Sequence, residues 1–194
     1  VASELNLQFL EGSASEVAPR LLGCELERQE GSQTIRVRIV ETEAYDQTDV
    51  ASHSYKGRTQ RTDVMFGPAG HLYVYFTYGM HYCCNVVVGE EGYGAAVLIR
   101  AVEPLEGGDL MAARRGKSGI AVSNGPAKVC QALDIDKRLN GHDLRKGALR
   151  LIPRPELPHE KIMQTVRVGI SQGKDVPWRF YIKDNSYVST SRAV

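Results

Sequence analysis

The chain has little with which to build a metal site or a disulfide framework. Its 194 residues include four cysteines, Cys24, Cys83, Cys84 and Cys130, with no Cys-x-x-Cys spacing among them. A zinc site calls for paired thiolates or closely spaced His and Cys ligands, and neither pattern occurs. The four thiols read instead as small buried hydrophobes in a reducing compartment. Also missing is any apolar run near the ~20 residues of a membrane span. The opening Val1-Ala2-Ser3-Glu4 has neither the basic flank nor the apolar stretch of a secretory signal, so a cytosolic protein is expected.

A strong excess of one charge is lacking too. Twenty-four Lys and Arg against 23 Asp and Glu leave a net charge of +1, which sets the chain apart from frankly basic nucleic-acid binders. The distribution is less even than the sum. Acidic residues crowd the first fifty positions and Glu90-Glu91. Basic ones gather at Arg58 and Arg61, at Arg114-Arg115 with Lys117, and from Lys128 through Arg154, so a one-sided basic face is an expectation. Repeats and low-complexity tracts are absent. A chain of this length buries roughly 70% of the surface its unfolded form exposes, and no composition break divides it, so one domain over residues 1–194 is expected.

What is present is an ordered series of short elements. Residues 15–22 place Val17, Ala18, Leu21 and Leu22 on one helical face, with Gly23 as the stop. Residues 24–29 and 34–42 read as two strands joined through Gly31-Ser32-Gln33. In the second, Ile35, Val37 and Ile39 alternate with Arg36 and Arg38. A polar, aperiodic stretch follows over residues 46–70, of the kind that is functional or disordered in a compact domain. Strands are expected at 71–76, 80–88 and 95–102, with turns at Tyr78-Gly79 and Gly92-Tyr93-Gly94. Helices are expected at 108–115 and at 126–133, the latter with Asn124 near its cap and Pro126 early, where a missing N–H costs nothing. Short strands complete the chain at 148–152, 166–170 and 180–183. Strands and helices without strict alternation point to an α+β fold: a single mixed domain with a curved, largely antiparallel sheet and flanking helices.

The stretch Ile39-Val40-Glu41-Thr42-Glu43-Ala44-Tyr45 carries the most chemistry. Side chains alternate along a strand, so Glu41, Glu43 and Tyr45 share a face. Two carboxylates and a phenol at the end of a buried strand need partners, which makes them candidates for catalysis. An exposed edge strand whose polar face meets water fits the pattern as well. His53 follows after a short polar loop. Tyr73, Tyr75, Tyr78 and Tyr82 fall within ten residues. Strand propensity accounts for Tyr73 and Tyr75, but not for Tyr78 at a turn tip, where an aromatic can wedge into a base stack. Together these residues suggest a tyrosine-lined pocket with a carboxylate at its floor, suited to a flat heteroaromatic group and a water. Base flipping meets that description, and so do many small-molecule hydrolases.

At these same residues the sequence resembles the alkyladenine (3-methyladenine) DNA glycosylase family. The likeness runs through Arg38-Ile39-Val40-Glu41-Thr42-Glu43-Ala44-Tyr45, Ala51-Ser52-His53-Ser54, Arg58-Thr59-Gln60-Arg61 and Met65-Phe66. It continues through Gly70-His71-Leu72-Tyr73-Val74-Tyr75, Tyr78-Gly79-Met80, Asn85, residues 97–104, Gly125-Pro126-Ala127-Lys128 and Arg179-Phe180-Tyr181. The resemblance implies a monofunctional, cofactor-independent hydrolase that flips alkylated or deaminated purines (3-methyladenine, 7-methylguanine, hypoxanthine, ethenoadenine) out of duplex DNA and leaves an abasic site. It casts Glu43 as the activator of the attacking water and Arg100 as a neighbour holding the nucleotide there. Tyr45, His53 and Tyr75 enclose the flipped base, and Asn85 disfavours the exocyclic amine of guanine. Tyr78 fills the vacated stack, and Arg61 lies near the DNA backbone. His81 and Cys83-Cys84 depart from better-known members, and the stretch from Arg115 to Asn124 is shorter than in animal ones. The expected partner is double-stranded DNA with damaged purines, without a metal, a membrane or an obligate protein partner. The enzyme is expected to act as a monomer, near the nucleoid in a bacterial cell or in the nucleus of a eukaryotic one. Two other readings stand beside it: a metal-dependent nuclease or phosphoesterase using Glu41, Glu43, Asp46 and Asp49, and a non-catalytic module that binds damaged DNA.

Overall fold

The computed structural model describes residues 5–190; the opening residues 1–4, read above for a signal, lie outside it. After a 3-10 turn the chain forms helix α1 (Ala14–Arg20), where the Glu16 carboxylate accepts from the Ser13 N–H at 3.2 Å to close the N-terminal turn. The helix ends at Arg20 with Leu21 as its cap, two residues short of the expected end, and Gly23 stands at φ +87° only after the turn that follows. Strands β1 (Glu25–Glu30) and β2 (Gln33–Asp46) then pair antiparallel through a tight turn. The long polar stretch is a string of turns, with 3-10 segments at His53–Lys56 and Asp63–Phe66. Next come β3 (Leu72–Thr77), β4 (His81–Val87), β5 (Ala95–Glu106), α2 (Gly108–Arg115) and α3 (Pro126–Ala132). Strands β6 (Leu149–Ile152), β7 (Ile162–Thr165) and β8 (Arg179–Ile182) finish the fold.

All eight strands join one sheet in the order β3-β4-β5-β2-β1-β6, with β8 beside the far half of β2 and β7 beside β8. Every named pair is antiparallel, and the sheet does not close on itself, which makes the fold α+β. The main core forms where α1 and α3 pack on Ile39, Val86, Val97 and Ile99. The opposite face carries a smaller apolar cluster of Met65, Phe66, Tyr73, Val87 and Ala96, under the aperiodic stretch. The middle of β2 lies inside the sheet, flanked by β5 on one side and β8 on the other. This overturns the edge-strand reading: Glu41 and Glu43 are fully buried.

Two local expectations fail for identifiable reasons. Residues 166–170 are not a strand; β7 ends at Thr165, and the chain turns across β2 instead of pairing. Asn124 does lie next to the cap of α3. Gly125 occupies the cap, and the Asn124 amide oxygen accepts from Lys128 Nζ at 2.8 Å. The basic face is largely neutralised within the fold. Arg114 pairs with Glu30, Arg138 with Asp134 and Asp136, Arg150 with Glu27, and Arg154 with Glu25. Arg115 and Lys128, by contrast, hold neutral acceptors and line the main cavity.

Candidate active site

Strand register brings the site together. Tyr73 stands opposite Asn85, Asn85 opposite Leu98, Leu98 opposite Glu43, and Glu43 opposite Arg179. Residues on one rung of a sheet project from the same face, so five strands deliver one row of side chains. Beside it, Tyr75 faces Cys83, and Tyr45 faces Ala96. The β2–β5 ladder slips on both sides of Glu41. In that irregularity Arg100 has no direct partner across the ladder, and its guanidinium reaches both glutamates. Irregularities of this kind re-aim side chains beside functional sites.

The row opens into a cavity of about 560 Å³. Seven of the eight residues singled out in the sequence line it: Glu43, Tyr45, His53, Tyr75, Tyr78, Asn85 and Arg100. The eighth, Arg61, stays outside, with its guanidinium carbon 5.8 Å from the centre of the Tyr75 ring.

Glu43 sits at the floor with no solvent exposure, held from three sides. The Tyr45 hydroxyl donates to Oε2 at 2.7 Å, the Val168 N–H donates to Oε1 at 2.8 Å, and Arg100 Nη1 lies 3.4 Å from Oε2. A carboxylate offers about four acceptor positions, so capacity remains for one more donor. Burial, reinforced by the Glu43 charge, holds the Tyr45 phenol well above the ordinary tyrosine range, so it remains a donor. Burial also works against the Arg100 charge, but Glu43 and Glu41 outweigh it and leave that guanidinium firmly protonated.

Glu41 has a different task. It accepts from Arg100 Nε at 3.2 Å, from Arg179 Nε at 2.6 Å, and from the Ser189 N–H and hydroxyl at 2.7 and 2.8 Å. It is a buried counter-ion that fixes Arg100. The two aspartates of the metal reading do not join the glutamates. Asp46 accepts from the Thr48 N–H at 2.8 Å, and Asp49 is clasped by Arg167. Among the described residues no group of three His, Cys, Asp or Glu side chains is arranged to hold a metal ion.

The walls are aromatic. The His53 ring meets Tyr75 edge-on at 4.5 Å, and its Nδ1 lies 3.1 Å from the Tyr73 hydroxyl. Withdrawal from water, with Arg61 as a second cause, lowers the His53 pKa to about 4, so the imidazole is neutral at physiological pH. Cys83 lies beside Tyr75, and burial pushes its thiol up to about 11. Asn85 donates to the Tyr73 carbonyl at 3.2 Å, which fixes its amide in the cavity wall. At the mouth Tyr78 adopts φ +52° at the tip of the β3–β4 hairpin, and it is 75% exposed.

The sequence matches the family model described as methylpurine-DNA glycosylase over residues 8–186. The chain belongs to the methylpurine-DNA glycosylase family. Its relatives include proteins named "Putative 3-methyladenine DNA glycosylase" from three organisms. That of Carboxydothermus hydrogenoformans is 52% identical over 184 residues, covering 94% of this chain and 96% of the relative. That of Methanoculleus marisnigri is 52% identical, covering 93% and 96%, and that of Chlorobaculum parvum 44%, covering 97% and 91%. Four further residues complete the site by their contacts. Arg179 and Ser189 hold Glu41, Val168 donates to Glu43, and Arg167 is buried beside Tyr45. Only Arg179 gave a signal, as part of Arg179-Phe180-Tyr181. The Val168 contact is made by backbone and leaves no mark in the residue types.

Proposed function

We propose that this DNA glycosylase flips a damaged purine from duplex DNA into the aromatic cavity and hydrolyses its N-glycosidic bond without a metal or a covalent intermediate. The observation that carries the reading is Glu43: a fully buried carboxylate at the floor of an open aromatic cavity, with an arginine beside it. Tyr45, Tyr75 and the neutral His53 offer faces and edges to a planar base. The Asn85 amide, fixed by its bond to Tyr73, meets the edge that carries the exocyclic group of guanine. The sugar then lies near Glu43 and Arg100. Glu43 accepts a proton from the incoming water while the water oxygen bonds to the anomeric carbon. The bond from that carbon to the base nitrogen breaks, and its electron pair leaves with the purine. The carboxylate also stabilises the positive charge that develops on the sugar. Alkylation at N3 or N7 already places positive charge on the purine, so these bases leave without acid assistance.

Among the residues lining the cavity, Lys128 carries the one amine, and it donates to Asn124 Oδ1 at 2.8 Å. A lyase pathway needs a free amine attacking the sugar to form a Schiff base, and this amine is engaged with Asn124 instead. Incubation of the enzyme with alkylated duplex DNA should therefore release intact free purine, detected by mass spectrometry. Borohydride should trap no protein–DNA adduct; an adduct would replace hydrolysis by lyase chemistry.

Tyr78 is the proposed wedge. Stacking of a base on an aromatic ring is worth about 1–3 kcal/mol, so Tyr78→Ala should weaken excision from duplex DNA by roughly tenfold or more. Its exposed ring contributes little to the fold, and the melting temperature should stay close to that of wild type. Unchanged excision in Tyr78→Ala would remove the wedge from the account.

A further inference from the structure

One buried ion pair beside the site has no part in the chemistry above. Arg167 and Asp49 have side chains 0% and 3% exposed. The Arg167 fork donates to both Asp49 oxygens, to the Ala44 carbonyl at 2.9 Å and to the Gly173 carbonyl at 3.2 Å. Its guanidinium lies 4.7 Å from the centre of the Tyr45 ring and 5.6 Å from that of Trp178. Burying an ion pair seldom adds net stability over apolar packing, so stability alone does not account for this arrangement.

The contacts fall on three separated parts of the chain. Ala44 lies between Glu43 and Tyr45 on β2. Asp49 belongs to the turns that follow that strand. Gly173 closes the segment that Arg167 itself begins. That segment, residues 168–172, lines the cavity, and its first residue donates the Val168 N–H to Glu43. Gly173 stands at φ +60°, and a Cβ there would lie 3.1 Å from both the Arg167 fork and Asp49, so the closure admits glycine best.

We infer that Arg167, anchored by Asp49, is a positioning residue for Glu43: it clips the 168–172 segment to β2, and so holds the Val168 N–H on the carboxylate and the Tyr45 ring beneath it. The inference rests on the glycosylase reading and adds a residue to it. Without the clip, Glu43 keeps its position on the strand but loses a fixed donor and the clamp on its tyrosine partner. Small misplacements of a catalytic group cost up to about 100-fold in rate even when the change lies away from the reacting atoms.

The test is single-turnover excision of 7-methylguanine from a labelled duplex by wild type, Arg167→Met and Asp49→Asn, each also in a Glu43→Gln background. The expected result is a loss of about 100-fold in the rate constant for Arg167→Met, a smaller loss for Asp49→Asn, and an unchanged half-saturating DNA concentration. In the Glu43→Gln background the further loss disappears, because a residue acting through Glu43 has nothing left to position. Arg167→Lys serves if Arg167→Met does not fold; it keeps the charge but cannot span Asp49, Ala44 and Gly173 together, and the same rate loss is expected. Equal losses in both backgrounds, a half-saturating concentration that moves with the rate, or wild-type rates in the variants would overturn the inference. Failure of wild type to excise any purine would instead overturn the reading on which it rests.

Discussion

Replacing Glu43 with glutamine should lower the rate constant for purine excision by roughly 10,000-fold, the upper range for loss of a general base, while binding of a damaged duplex persists. The carboxylate has two jobs in the proposed reaction, proton acceptor and counter-charge to the sugar, and an amide performs neither. The substitution is nearly isosteric; two of the three partners of Glu43 can be satisfied, and Arg100, which loses its acceptor at Oε2, keeps Glu41 as counter-ion. An amide oxygen accepts from the Val168 N–H in place of Oε1, and the amide NH2 donates to a Tyr45 hydroxyl that reverses its role. The fold should therefore hold, and a removed buried charge can even raise stability, as active-site substitutions often do. Single-turnover kinetics with a parallel binding titration makes the check. A loss below about tenfold would place the water activator elsewhere.

Two residues earlier on the same strand, the opposite outcome is expected. Glu41→Gln leaves Arg100 and Arg179 charged, 10% and 9% exposed, and without their shared counter-ion. Removing one member of a buried ion pair costs roughly 3–5 kcal/mol, because the charge left behind is uncompensated. In a domain of this size that corresponds to a fall of about 10 °C in melting temperature, read by calorimetry or circular dichroism. Activity should also fall, since Arg100 loses the group that fixes its Nε. A melting temperature within a degree of wild type would show that Glu41 is not the anchor of this cluster. The pair of variants separates a carboxylate kept for chemistry from one kept for structure, although period-two alternation puts both on one face.

That separation was not legible in the sequence. Alternation correctly joined Glu41, Glu43 and Tyr45. The isolated pattern of the strand could not show that β5 and β8 flank it, or that two arginines and Ser189 close around Glu41. The irregular β2–β5 ladder that aims Arg100 between the glutamates is a property of pairing, not of either strand alone. Aromatic residues on β3 and the exposed Tyr78 turn were legible because strand periodicity and turn chemistry are local. Residues 166–170 were misread for the converse reason. Val166, Val168 and Ile170 alternate as a strand would, but tertiary contacts win: the Arg167–Asp49 pair and the Val168 bond to Glu43 draw the chain across the sheet. The basic clusters misled in a similar way. Arg150 on β6 faces Glu27 on β1, and Arg154, just past the end of β6, binds Glu25, so charges far apart in sequence cancel in space. The cations left lining the cavity are few, and DNA affinity should rest on them and fall steeply with salt.

The central claim is that a buried carboxylate in an aromatic cavity excises a damaged purine from DNA without a metal. Its most direct test uses two end-labelled duplexes, one with a single hypoxanthine and one with a single 7-methylguanine, incubated with wild-type enzyme in EDTA and run with and without alkali. The account predicts strand breaks at the lesion only after alkali, with EDTA having no effect. Breaks that need no alkali and vanish with EDTA would reveal a nuclease, and intact strands under every condition would reveal a protein that binds damage without removing it.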